Sequence, residues 1–73
     1  MRHLKKELWP HKVIVDVYDS YHKHDKRIDE IEHWLGENVG GFKRQWNVVY
    51  WHNRTGFYFR DEQTATFFAL RWA

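Results

Sequence analysis

The chain is expected to fold as a small α+β domain in the order β-α-β-β-α, with a three-stranded sheet in spatial order 1-3-2 and both helices on one face. Three features point there: an aromatic hairpin over residues 46–59, an apolar helical stripe directly after it, and a strand followed by a helix ahead of it. At 73 residues the sequence forms one domain, 1–73, near the lower limit for a single unaided hydrophobic core. Residues 1–11 are expected to be a flexible or extended N-terminal segment.

The hairpin carries the clearest signal. From Trp46 to Trp51 almost every side chain is aromatic or β-branched, which suits a half-buried pleated surface. His52, Asn53, Arg54, Thr55 and Gly56 supply turn chemistry, since Asn and Gly tolerate positive φ. Phe57, Tyr58 and Phe59 then return as the second arm. A loop of two or of four residues sets Val48 and Tyr50 on the face of Phe57 and Phe59, and gives the opposite face Val49, Trp51, Tyr58 and Arg60. A three-residue loop would reverse one arm. Asp61 is a suitable N-cap and Glu62 suits the first helical turn. Ala65, Phe68, Ala69 and Trp72 follow at i, i+3, i+4 and i+7, a stripe that must lie on the Phe57/Phe59 face. Arg71 favours the helix C-terminus. Phe67 and Leu70 either widen the buried surface or serve a partner.

The first half supplies the remaining strand and helix. Alternation over 13–18 directs Val13, Val15 and Val17 toward a core, and Ile14, Asp16 and Tyr18 to the other face. Pro10 interrupts a helix there but is tolerated at a strand edge. Asp25 or Ser20 caps the next helix, in which Ile28, Ile31 and Leu35 recur at helical spacing with Trp34 alongside, and Val39 extends the series. Asp29, Glu30 and Glu32 form its wet face, and an end near Asn38 precedes the stop signal Gly40-Gly41. A right-handed crossover makes the first two strands parallel, so the last strand fits between them. The result is a truncated ferredoxin-like arrangement without its final strand, with one uncovered sheet face and a free edge.

Chemistry is constrained mainly by what is missing. Without cysteine there is neither a disulfide framework nor a thiolate metal site. A formal charge of +2 is mildly basic, and excludes acidic mimics of nucleic acid. No apolar run resembles a signal peptide or the roughly 20 residues of a membrane span, so a cytoplasmic protein without membrane contact is expected. Ser20 is the only serine, and no Gly-rich loop precedes a helix. His11, Asp16 and Asp19 could at most gather near Arg60. The expectation is no catalytic residue, no cofactor and no small-molecule substrate. His22, His24, Asp25 and His33 carry ligand atoms, but His22-x-His24 fits no standard zinc spacing, and a solvated loop is the reading. Lys5, Lys6, Lys43 and Arg44 form a candidate basic patch, useful for steering toward an acidic partner.

Function is therefore expected on the uncovered face, where Tyr18, Trp51, Tyr58 and Arg60 are the candidate partner-binding residues beside Ile14 and Val49. Tyr, Trp and Arg are the types enriched at binding hot spots. Such a face resembles the RNA-recognition motif, and Thr55-Gly56-Phe57-Tyr58-Phe59 echoes part of its RNP1 pattern. Counting back from Ala65, however, aligns Phe59 with the core-facing aromatic of RNP1. The C-terminal pattern Phe57-x-Phe59 with Ala65-x-x-Phe68-x-Leu70-x-Trp72, together with Trp34-Leu35 before Gly and a Trp-rich strand, resembles small uncharacterised accessory proteins of tailed phages, including cyanobacterial ones. That resemblance implies a viral origin and carries over no site residue. The leading expectation is a non-enzymatic interaction module that binds a host or viral protein, or itself as a homodimer. The alternatives are a single-stranded nucleic-acid-binding protein using the same face, and a self-assembling virion or scaffold component.

Overall fold

The aromatic return arm of the hairpin becomes the middle of the sheet. In the computed structural model, which describes residues 7–18 and 24–73, the order is β1 (His11–Val15), α1 (Lys26–Asn38), β2 (Trp46–Tyr50), β3 (Thr55–Phe59) and α2 (Glu62–Trp72). The three strands pair in the order β1-β3-β2, with β3 antiparallel to both neighbours. This is the expected β-α-β-β-α topology of a small α+β fold.

Register decides which side chains meet. Tyr50 opposes Thr55, which leaves a four-residue loop, and Val48 opposes Phe57 while Trp46 opposes Phe59. On the other side Val13 opposes Phe57 and Val15 opposes Thr55. Val48, Phe57 and Phe59 therefore share one face, as the even loop length predicted. The core forms on that face from Val15, Val17, Ile28, Ile31, Leu35, Trp46, Val48, Phe57, Phe59, Ala65 and Phe68, so both helices contribute to one layer. Phe68 sits 5.0 Å from the rings of both Phe57 and Phe59. Trp34 of α1 bridges the helices, 5.3 Å from Phe67, 6.0 Å from Phe68 and 6.2 Å from Trp72.

The helix ends follow the capping residues. Asp25 caps α1 by accepting from the Arg27 amide, and Asp61 caps α2 by accepting from the Thr64 amide at 2.7 Å. Ser20, the other candidate cap, lies outside the described residues. Helix α1 ends at Asn38, and the Val39 and Gly40 amides both return to the Leu35 carbonyl. Phe67 and Leu70 stay on the outer surface, Leu70 with 84% of its area exposed.

Two expectations are corrected. The first strand was expected over 13–18, but β1 spans His11–Val15 and the chain turns there, with the Val17 amide donating to the Val15 carbonyl. Val17 remains fully buried, and the buried Thr55 hydroxyl donates to its carbonyl at 2.8 Å. The hairpin loop also contains no residue with positive φ; Gly40 (138°) and Lys43 (68°) hold the left-handed conformations among the described residues, in the connection before β2. Gly56 is a strand residue rather than a turn residue.

Truncating Phe68 to alanine should cost about 3–5 kcal/mol, because the ring is fully enclosed and its cavity cannot close. Urea denaturation should show the variant losing most of the stability expected for so short a chain. Acid stability tests the caps. The Arg27 guanidinium holds the Asp25 carboxyl below its ordinary range, and the Thr64 amide does the same for Asp61. A carboxyl with a depressed folded pKa stabilises the fold above its unfolded value, near 3.9, and loses that contribution as pH falls through the folded one. The melting temperature should therefore drop below about pH 4. Asp25→Asn with Asp61→Asn, which keeps capping oxygens, should flatten that drop.

Candidate functional site

The open face of the sheet is built around a missing Cβ. Gly56 sits between Ile14 and Val49 in register, at the centre of the face opposite the helices. A Cβ at this position would lie 2.7 Å from Cη2 and Cζ3 of Trp51 and 3.3 Å from Cε1 of Tyr58. Glycine thus gives the indole the space it occupies, the close approach that interior strand glycines often mark. Trp51 is the first residue past β2, and its amide donates to the Arg54 carbonyl at 2.9 Å, which fixes the loop.

Cations surround this ring. Lys12, opposite Tyr58 in register, places its ammonium 5.7 Å from the Trp51 centroid, and the Arg54 guanidinium lies 5.6 Å from it. Trp9, only 6% exposed, is drawn in from the N-terminal side, and the Arg60 guanidinium stands 4.8 Å from its centroid. Trp9, Pro10, Lys12, Trp51 and Tyr58 line a groove of about 440 Å³. Burial pushes the Tyr58 hydroxyl above its usual pKa. Among the described residues, none of Lys12, Arg54 and Arg60 is in an ion pair with a carboxylate. The groove is thus apolar at its floor and positive at its rim.

Trp51, Tyr58 and Arg60 therefore come together on one face, flanked by Val49 and Ile14. Tyr18 follows the end of β1, beyond the strand alternation that pointed it there; its carbonyl accepts from the Asp25 amide. Lys43 and Arg44 are exposed in the connection before β2, and Lys5 and Lys6 lie outside the described residues. His11 opposes Phe59 in register, on the helix-facing side, so it does not gather with Arg60 on the open face; Asp19 lies outside the described residues. His24 pairs with Asp29 and His33 with Glu37, each at 3.2 Å. No three His, Asp or Glu side chains converge as a metal site among the described residues, and His22 lies outside them.

Sequence reasoning missed Trp9, Lys12 and Arg54. The usable signal was Gly56: a glycine inside a strand pattern, close in sequence to a tryptophan that had no place in the core.

No protein-family model, curated protein or solved structure matches this sequence. The class of protein is defined by the chain itself: an aromatic-rich α+β domain with a cation-rimmed aromatic groove on its open sheet face. No helix among the described residues is long and apolar enough to cross a membrane.

Gly56→Ala should lift Trp51 off the sheet while leaving the helix-side core intact. Tryptophan emission should shift to the red, with a loss of about 1–3 kcal/mol in stability from the forced repacking. A spectrum and stability equal to wild type would mean that the indole does not depend on that space.

Proposed function

We propose that the chain is a non-enzymatic protein-interaction module, a phage-encoded accessory protein acting in the host cytoplasm, whose partner docks on the open sheet face at Trp51, Tyr58 and Arg60. The observation that carries the reading is the set of Lys12, Arg54 and Arg60 around two tryptophans, with no carboxylate paired to them among the described residues. Such a rim favours an acidic partner surface, and the groove between Trp9, Trp51 and Tyr58 favours an apolar anchor from it. Viral origin rests on the resemblance of the C-terminal half to small phage proteins.

The same face is less suited to nucleic acid. Base stacking needs an open ring face. Trp9 is almost fully buried, and the rings of Trp9 and Trp51 already have the chain's own cations over them. What remains is charge and a rim rather than a stacking platform.

The test is capture from host extract on immobilised wild type, Trp51→Ala and Arg60→Ala, each first shown to be folded by circular dichroism. A single retained protein, lost about tenfold or more from both variants, is the expected result. Retention of nuclease-sensitive nucleic acid that is shed at high salt would reassign the face to single strands. A dimer seen by light scattering, and dissociated by both substitutions, would reassign it to self-association.

A further inference from the structure

The two edges of the sheet are treated differently by the chain. At β2 the connection from α1 crosses in front of the edge, where Phe42 bridges to Trp46 and the Lys43 amide donates to the Trp46 carbonyl at 2.7 Å. At the other side β1 pairs only with β3, through five consecutive partners from His11 opposite Phe59 to Val15 opposite Thr55. That run holds no bulge and no residue of positive φ, so the edge is regular. Among the described residues, no strand lies on its outer side. An edge strand turns alternate N–H and C=O groups outward, a template for another strand, and chains commonly guard it with proline or lysine. Here Pro10 stands ahead of β1 rather than within it, and the Lys12 ammonium is turned onto the open face, 5.7 Å from the Trp51 centroid. Ile14 is left 40% exposed beside it.

We infer that the outer edge of β1 receives the same strand of a second copy of the chain, antiparallel about a two-fold axis at Val13. The argument is self-complementarity, which a symmetric interface requires. Residues that oppose each other must lie on the same face, so the axis can pass only through a residue position. Centred on Val13, it pairs all five residues of β1 with the partner strand: Val13 with its own copy, Lys12 with Ile14, and His11 with Val15. Centred on Lys12 it would oppose two ammonium groups, and centred on Lys12 or on Ile14 it would pair only three residues of each strand. The Val13 register opposes no two lysines and sets the exposed Ile14 beside the aliphatic stem of the partner subunit's Lys12. Val13-Ile14-Val15 is β-branched throughout and suits the pairing. Two three-stranded sheets then become one continuous antiparallel sheet, and the template at β1 is used up. The contact is made by the edge and not by the face around Trp51, so this inference stands apart from the docking reading.

The experiment is sedimentation velocity on the full chain over a wide concentration range, at constant ionic strength. Wild type, Trp51→Ala and Arg60→Ala should show the same monomer–dimer equilibrium. Ile14→Lys opposes a lysine to the partner subunit's Lys12 on both sides of the axis, and should raise the dissociation constant about tenfold. Adding Lys12→Glu to that variant opposes glutamate to lysine, and should restore most of the affinity. Both positions are exposed, so neither substitution enters the core, and circular dichroism checks that each variant is folded. A monomer at every concentration, a dimer that Ile14→Lys leaves unchanged, or one that the second substitution does not rescue would overturn the assignment. A dimer lost in Trp51→Ala and Arg60→Ala would overturn it too, by placing self-association on the open face.

Discussion

The contact of Phe68 with Phe57 and Phe59 is the constraint on which the rest of the molecule depends. Only Arg60 and Asp61 separate β3 from α2, so the helix must fold straight back onto the strand it has just left. The two phenylalanines of β3 stand on one face, and Phe68 closes over both at 5.0 Å. Once that face is chosen, the register of β2 and β1 leaves no freedom: Val48, Val13 and Val15 join it, and Lys12, Ile14, Asn47 and Val49 turn away. Helix α1 then completes the same layer through Ile28, Ile31 and Leu35. Burying aromatic area on one side is how a chain of this length can hold a core without a disulfide.

One-sided burial leaves the other side of a three-stranded sheet to be protected. A fourth strand would not solve this, since it would cover an edge and not a face. The chain instead lays Trp51 against Gly56 and draws Trp9 in from the N-terminal side, each with arginine or lysine over the ring. Each cation–ring contact is worth about 0.5–1 kcal/mol at an exposed site, comparable to a surface ion pair. The difference lies in what remains outside. A cation over a ring shields apolar surface with its aliphatic stem and keeps its charge in water. The face is therefore made soluble without being neutralised.

Most of the fold was legible because its signals were periodic and locally consistent. The stripe Ala65, Phe68, Ala69, Trp72, the caps Asp25 and Asp61, and the parity of the hairpin arms each agreed with the others, and the topology followed. Tyr18 shows where periodicity fails. Val13, Val15 and Val17 alternate as a strand should, and all three do pack inward, yet the backbone leaves the sheet at Val15 through a short-range hydrogen bond that no side-chain pattern encodes. Gly56 was read as turn chemistry because Asn53 and Gly56 flank the reversal; the four-residue loop closes without any positive φ, and the glycine serves a packing role instead. Trp9 was illegible for a different reason. Its ring meets Arg60, distant in sequence, whereas residues 1–11 were expected only as a flexible or extended segment.

Trp51 and Phe42 both stand where the backbone departs from regular structure. Trp51 stands one residue past its strand and is held by the room that Gly56 leaves; Phe42 stands in a left-handed turn whose carbonyls are bonded to the Trp46 indole and to neighbouring amides. A Cβ at Gly40 would meet Gln45 at 2.6 Å, so that turn, too, depends on a glycine that permits close approach. Rings placed in this way have few rotamers left to lose when a partner arrives, and each immobilised side chain saves about 0.5–1.5 kcal/mol on binding. In a domain this small, the affinity of any partner would draw on preorganisation more than on area.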